Sequence, residues 1–231
     1  MSKLKLIFER QLWHYLLLPV LLTGLVIISS TEGFLRGDFL NVGTKTWFLL
    51  AVAIPILHQF YVWFCWRMQL HYSLITRLFG RAGFICYSII FLIFLISRLT
   101  LLLFLAISNK NSLDANPILL YGLSIVFWLL ALYVFYSIQK YFTLRRAMGV
   151  DHFDPSYRGA GLVRKGVFRY TSNAMYTVGL LFLWIPGLLF SSKAALAVVL
   201  FSHIYVWIHY YCTEKPDMRK IYGLSPSSEN E

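Results

Sequence analysis

Charged residues are missing from long stretches of this chain in a regular rhythm. No Asp, Glu, Lys or Arg occurs between Arg10 and Glu32, Lys45 and Arg67, Asp114 and Lys140, Arg169 and Lys193, or Lys193 and Glu214. A sixth apolar run, Ala82 to Asn109, is broken only by Arg98. Each run holds about 20 residues or more, the length one helix needs to cross a bilayer. The pattern predicts an all-α integral membrane protein with five to six transmembrane helices and a C-terminal helical hairpin. Only Ser191, Ser192 and Lys193 separate the last two runs, so these form the tight hairpin, and Pro186-Gly187 is expected to kink its first arm. Whether that hairpin crosses fully or dips into the bilayer is left open by the pattern. Either way its two open ends must lie side by side.

Composition supports the same class. The 231 residues are 58% hydrophobic, 18% aromatic and 13% charged, against about 25% charged in a soluble domain. The first run follows Lys3, Lys5 and Arg10, but its apolar core is too long for a signal peptide and no small-residue cleavage site follows, so it reads as a retained helix. The chain then divides into a four-helix portion (1–139), a polar loop plus hairpin (140–223) and a polar tail expected to be disordered (224–231).

The net charge of +11 would suggest nucleic acid if it were spread over one surface. It is instead sorted by side. With six crossings, sixteen Lys and Arg fall on one side, in the N-terminus, the second loop, the fourth loop and the tail; only Arg36, Lys45, Lys110 and Lys193 fall on the other. This is the positive-inside pattern, which places both termini in the cytoplasm, makes the bilayer the partner and argues against nucleic acid. Cys65, Cys86 and Cys212 lack metal or redox spacing and are expected to pack in the membrane. His58, His71, His203 and His209 show no zinc-ligand spacing, so no metal site is expected. Nothing in the pattern speaks to oligomeric state.

Two polar signatures sit at the open ends of the hairpin: GVFRYTSNAMY (166–176) and TEKPDMRKIYG (213–223). Polar groups at the edge of apolar runs are costly and tend to be functional. Glycines at 159, 161 and 166 allow tight turns and close approach of a ligand, and Ser172 or Asn173 is expected to cap a helix starting near Ala174. His203, Trp207, Tyr210 and Glu214 recur at helical spacing and share a face. With Pro216 two residues on, Glu214 is expected to end its helix, where the dipole disfavours an acid and a cation should compensate. That cation is either Lys215 or Arg219, or a cationic ligand attracted also by Tyr176, Trp207, Tyr210 and Tyr211. Arg98, in mid-run, costs about 3 kcal/mol to insert; it reads as a helix-to-helix tie or as a catalytic-site group holding a lipid phosphate or carboxylate. His203 reads as a packed histidine or as a proton acceptor.

Together the two signatures resemble those of membrane-embedded methyltransferases of the isoprenylcysteine carboxyl methyltransferase and phospholipid methyltransferase superfamily. Gly166, Phe168, Asn173, Met175, Tyr176 and Gly179 carry the first part of the likeness; Glu214, Pro216, Asp217, Met218, Arg219, Tyr222 and Gly223 carry the second. The resemblance covers roughly the last seventy residues. It implies methyl transfer from S-adenosylmethionine to a membrane lipid or lipidated substrate, either a phospholipid amine or an isoprenylcysteine carboxylate. By that likeness Gly166, Asn173, Tyr176, Tyr210 and Glu214 would bind the cofactor. Ser172, Ala174 and Lys215 depart from the usual Arg, Pro and second acid. Those departures point to the alternative, a non-catalytic scaffold or lipid-binding protein built on the same fold.

Overall fold

A computed structural model describes residues 3–158 and 161–223. Gly159 and the tail 224–231 lie outside the described residues, and so do the expectations placed on them. Five helical runs are long and apolar enough to cross a membrane: Lys5–Ser29, Thr44–Tyr72, Leu74–Ser108, Pro117–Phe142 and Lys193–Tyr222. Their main α-helices are α1 (Gln11–Ser29), α2 (Thr44–Tyr72), α3 (Gly83–Ser108), α4 (Pro117–Ser137), α5 (Lys193–His209) and the short α6 (Lys215–Tyr222). The only strands among the described residues are a two-residue antiparallel pair, Asp38–Phe39 with Val42–Gly43.

The remaining apolar run, Ala174–Leu189, is a broken helix, α-helical at Ala174–Thr177, 3-10 at Gly179–Leu183 and α-helical again at Trp184–Leu189. It packs along α4. Its far end is held by the α3–α4 loop: Asn111 N–H donates to the Phe190 carbonyl at 2.9 Å and Leu113 N–H to that of Ser191 at 2.8 Å. The first arm of the hairpin therefore reaches the opposite end of the bundle, which the sequence pattern had left open.

Helix α5 is the central element and packs against α1, α2 and α3. Its small residues make this possible: Ala194, Ala195, Val198 and Val199 are almost wholly buried and let neighbouring backbones come close. At its start Ser192 caps Ala195 N–H at 3.2 Å, while the Asn109 side-chain oxygen accepts from Ala194 N–H at 3.0 Å and the Ser192 hydroxyl at 3.1 Å. The Asn109 amide also donates to the carbonyls of Phe34 and Arg36, both at 3.0 Å, so one side chain ties three loops together. Helices α1 and α4 present many exposed apolar side chains, the surface a bilayer would cover.

At the other end the basic segments gather. Lys220 pairs with Glu9 at 2.5 Å, Arg67 donates to the Leu6 carbonyl, and the Arg145 guanidinium lies 5.3 Å from the Phe84 ring centre. All three cysteines are free.

Candidate active site

Two signatures about forty residues apart meet at the basic end. Residues 166–174 are fastened to the end of α4, which finishes in a π-turn (Ile138–Phe142). Val167 N–H donates to the Ser137 hydroxyl at 3.1 Å, Phe168 stacks on Phe142 at 4.8 Å, and Ala174 is fully buried. Gly166 has φ +61°, and a Cβ there would come within 2.8 Å of Ser137 Oγ and of the Tyr141 ring. Gly166 thus serves the seating of this segment on α4. Its substitution by Ala is expected to destabilise the protein by about 1–3 kcal/mol through overpacking, read as a lower unfolding temperature in detergent.

The helix does start at Ala174, but Asn173 does not cap it with its side chain. Its backbone (φ −103°, ψ 27°) is outside the extended region that an N-cap side chain requires. Its carbonyl instead accepts from Tyr176 and Thr177 N–H, at 2.9 and 3.0 Å, and from the Thr177 hydroxyl at 3.1 Å. The Asn173 side chain is half-buried and makes no capping bond.

From here Tyr176 crosses to the last helix, where its hydroxyl donates to Glu214 Oε2. Trp207 and Tyr210 flank it, with ring centres 6.0 and 5.8 Å away, and lie 5.5 Å from each other. Tyr211 extends the aromatic wall, 5.1 Å from Tyr210, with Lys215 Nζ 5.7 Å from its ring centre. His203, one turn before Trp207, faces the Tyr176 backbone, and its Nδ1 accepts from Trp184 Nε1 at 3.2 Å. Indole can only donate, so the neutral imidazole carries its proton on Nε2. The nitrogen that a proton acceptor would use is thus already engaged.

Glu214 does not end its helix. Residues Tyr210–Glu214 form a π-turn and the helix continues as α6. Pro216 permits this because it falls in the first turn of α6, where its missing N–H has no intrahelical partner to lose. The expected clash with a C-terminal dipole is therefore absent, and the partner of the acid is the Tyr176 hydroxyl. Around the turn lie groups to which the sequence reading gave no site role, among them two signature residues, Asp217 and Tyr222. Arg67 and Asp217 form an ion pair at 2.9 Å with both side chains fully buried, and His152 Nε2 approaches the second Asp217 oxygen at 3.5 Å. Beside them Arg146 donates to the Tyr222 hydroxyl at 2.6 Å and pairs with Asp151 at 3.3 Å, and Tyr222 donates to the same Asp151 oxygen. Burial works against the Arg146 charge, but the Tyr222 hydrogen bond and the Asp151 carboxylate outweigh it and raise the guanidinium above its ordinary range.

Arg98 lies apart from this cluster. It is buried, its Nη2 donates to the Ser202 carbonyl at 3.3 Å, and Ser202 is about 18 Å below Glu214 at ~1.5 Å per residue. It ties α3 to α5. Among the described residues no group of three or more His, Cys, Asp and Glu could hold a metal ion.

Residues 118–225, which contain both signatures, match the model of the phospholipid methyltransferase family. That part of the chain is similar to the phospholipid methyltransferases. That family falls within the wider superfamily that also holds the isoprenylcysteine carboxyl methyltransferases, and the likeness points to a membrane methyltransferase acting on lipid. No curated protein and no solved structure matches the chain.

The donor set suits the cofactor that such enzymes generally use. A sulfonium cation is stabilised by a carboxylate and by aromatic faces, and Glu214, Tyr176, Trp207 and Tyr210 offer both in one place.

Proposed function

We propose that the protein transfers a methyl group from S-adenosylmethionine to the amine head group of a membrane phospholipid. The observation that carries this reading is the Tyr176–Glu214 hydrogen bond, which joins the two signatures inside an aromatic enclosure. In it Glu214 and the faces of Tyr176, Trp207 and Tyr210 hold the cofactor's positive end, Asn173 lines the approach, and Gly166 keeps the segment seated. The sulfonium supplies an already activated methyl group, so the protein's part is to align donor and acceptor and to exclude water.

The match to the phospholipid family, rather than to the isoprenylcysteine enzymes, supports an amine acceptor. The sixteen basic residues on one side favour a cytoplasmic site, open to the soluble cofactor. An acceptor could enter sideways from the bilayer along the exposed faces of the bundle. Calorimetric titration of the detergent-solubilised protein with S-adenosylmethionine tests the reading, with saturable binding expected. A flat titration would favour the scaffold alternative, which rests on Ser172, Ala174 and Lys215 standing where the family has other residues.

Because Arg98 bonds α5 about 18 Å below Glu214 at ~1.5 Å per residue, Arg98→Met is expected to leave cofactor affinity within about twofold of wild type, as distant sites act independently. The same titration checks this. A tenfold loss would bring Arg98 back to the cofactor site.

A further inference from the structure

Directly before Glu214 the helix widens by one residue. A π-turn breaks the regular bonding pattern and leaves main-chain carbonyls in need of other donors. Here two side chains from distant helices supply them. Gln11 Nε2 on α1 donates to the Cys212 carbonyl at 3.0 Å and to the Thr213 hydroxyl at 3.1 Å. Arg67 Nη2 on α2 donates to the Cys212 carbonyl at 3.1 Å and to the Thr213 carbonyl at 3.4 Å. The same guanidinium reaches past Glu214 and pairs through Nε with Asp217 on α6. It thus grips the helix on both sides of the π-turn. Its remaining nitrogen donates to the Leu6 carbonyl. Gln11 is itself oriented by His14, whose other nitrogen bonds the Tyr205 hydroxyl at 2.6 Å.

The geometry gives this grip a purpose beyond charge balance. If the turn relaxed to regular α-helix, one residue would be lost from the repeat. Everything on one side would then rotate by about 100° relative to the other. Glu214 sits at that junction and would turn away from Tyr176, while Trp207 on α5 stayed in place.

We propose that Arg67 is the positioning residue of the site: its guanidinium, with Gln11, holds the 210–214 π-turn in the register that aims Glu214 at Tyr176. The consequence for cofactor affinity rests on the function proposed above. Arg67 touches neither cofactor nor acceptor and acts through Glu214 alone. Lys at this position keeps the charge that Asp217 needs but is a single point donor. It cannot span two carbonyls and a carboxylate as the planar fork does.

The test is a double-mutant cycle on detergent-solubilised full-length protein, using Arg67→Lys, Glu214→Gln and the pair, with thermal unfolding measured alongside. Arg67→Lys is expected to stay folded and to lose about tenfold in S-adenosylmethionine affinity, and the loss should vanish in the Glu214→Gln background, the mark of action through a shared group. Gln11→Met should reproduce the effect more weakly. A second readout needs no ligand. Fluorine NMR of protein carrying 3-fluorotyrosine at Tyr176 should show its signal shifted by Arg67→Lys in the parent protein and unmoved by it in a Glu214→Ala protein, where no side chain is left to accept the Tyr176 hydroxyl. Losses that multiply in the cycle, or a Tyr176 signal indifferent to Arg67→Lys, would overturn the proposal. If the parent protein binds no S-adenosylmethionine while the Tyr176 signal follows Arg67, the cofactor reading falls and the positioning role stands.

Discussion

Glu214→Gln is expected to weaken S-adenosylmethionine binding by about ten- to a hundredfold, the range associated with one hydrogen bond or contact to a charged group. The substitution is nearly isosteric. The amide oxygen can still accept the Tyr176 hydroxyl bond, so the junction between the two signatures survives. What would be lost, on the function proposed, is the carboxylate that faces the cofactor's cationic end. Unfolding temperature should therefore change little while calorimetric affinity falls. Tyr176→Phe, which keeps the ring and removes only the hydroxyl, should lose less. An affinity equal to wild type in Glu214→Gln would remove the carboxylate from the cofactor site.

The largest effect on stability is expected from Asp217→Asn, at about 3–5 kcal/mol, the cost of stranding one partner of a buried ion pair. Asp217 is fully buried between Arg67 and His152, and both of its oxygens face those groups. Without it the Arg67 guanidinium keeps its carbonyl contacts but has no counter-charge, and His152 loses its partner. Replacing both Arg67 and Asp217 by Met and Leu should recover only part of the loss, because the Cys212 and Thr213 carbonyls then lack the Arg67 donor. Denaturation in detergent micelles measures both variants. An Asp217→Asn protein as stable as wild type would mean that the pair does not hold the last helix.

Much of the architecture could be read from the spacing of charges alone. The six apolar runs correspond to five long helical runs and one broken segment. The hairpin argument correctly brought Tyr176 and Glu214 together, because a short turn leaves two open ends no choice of neighbour. The local prediction at Glu214 failed for a definite reason. Proline stops a helix when it removes a bonded N–H, and the sequence does not reveal that a π-turn resets the count so that Pro216 falls in a first turn. The capping role given to Asn173 failed in a similar way, since the side chain's use depends on backbone angles that the residue type does not fix.

The buried polar cluster was illegible for another reason. Arg67 meets partners 145 residues away and Gln11 meets partners about 200 residues away, and pairing over such separations leaves no local pattern. A signal was present all the same. Gln11 and His14, three residues apart, share a face of an otherwise apolar helix, and Arg67 closes an apolar run. Polar groups so placed need partners inside the bundle. Arg98 followed the same rule, but its partner is a main-chain carbonyl, and carbonyls are invisible to any count of acidic residues.

The most direct test of the account is transfer of labelled methyl from S-adenosylmethionine to lipid by the purified protein in vesicles containing phosphatidylethanolamine. Label recovered as N-methylated lipid, and abolished by Glu214→Gln, is the expected result. Vesicles in which the cofactor binds but no label enters an amine lipid would contradict the proposed reaction.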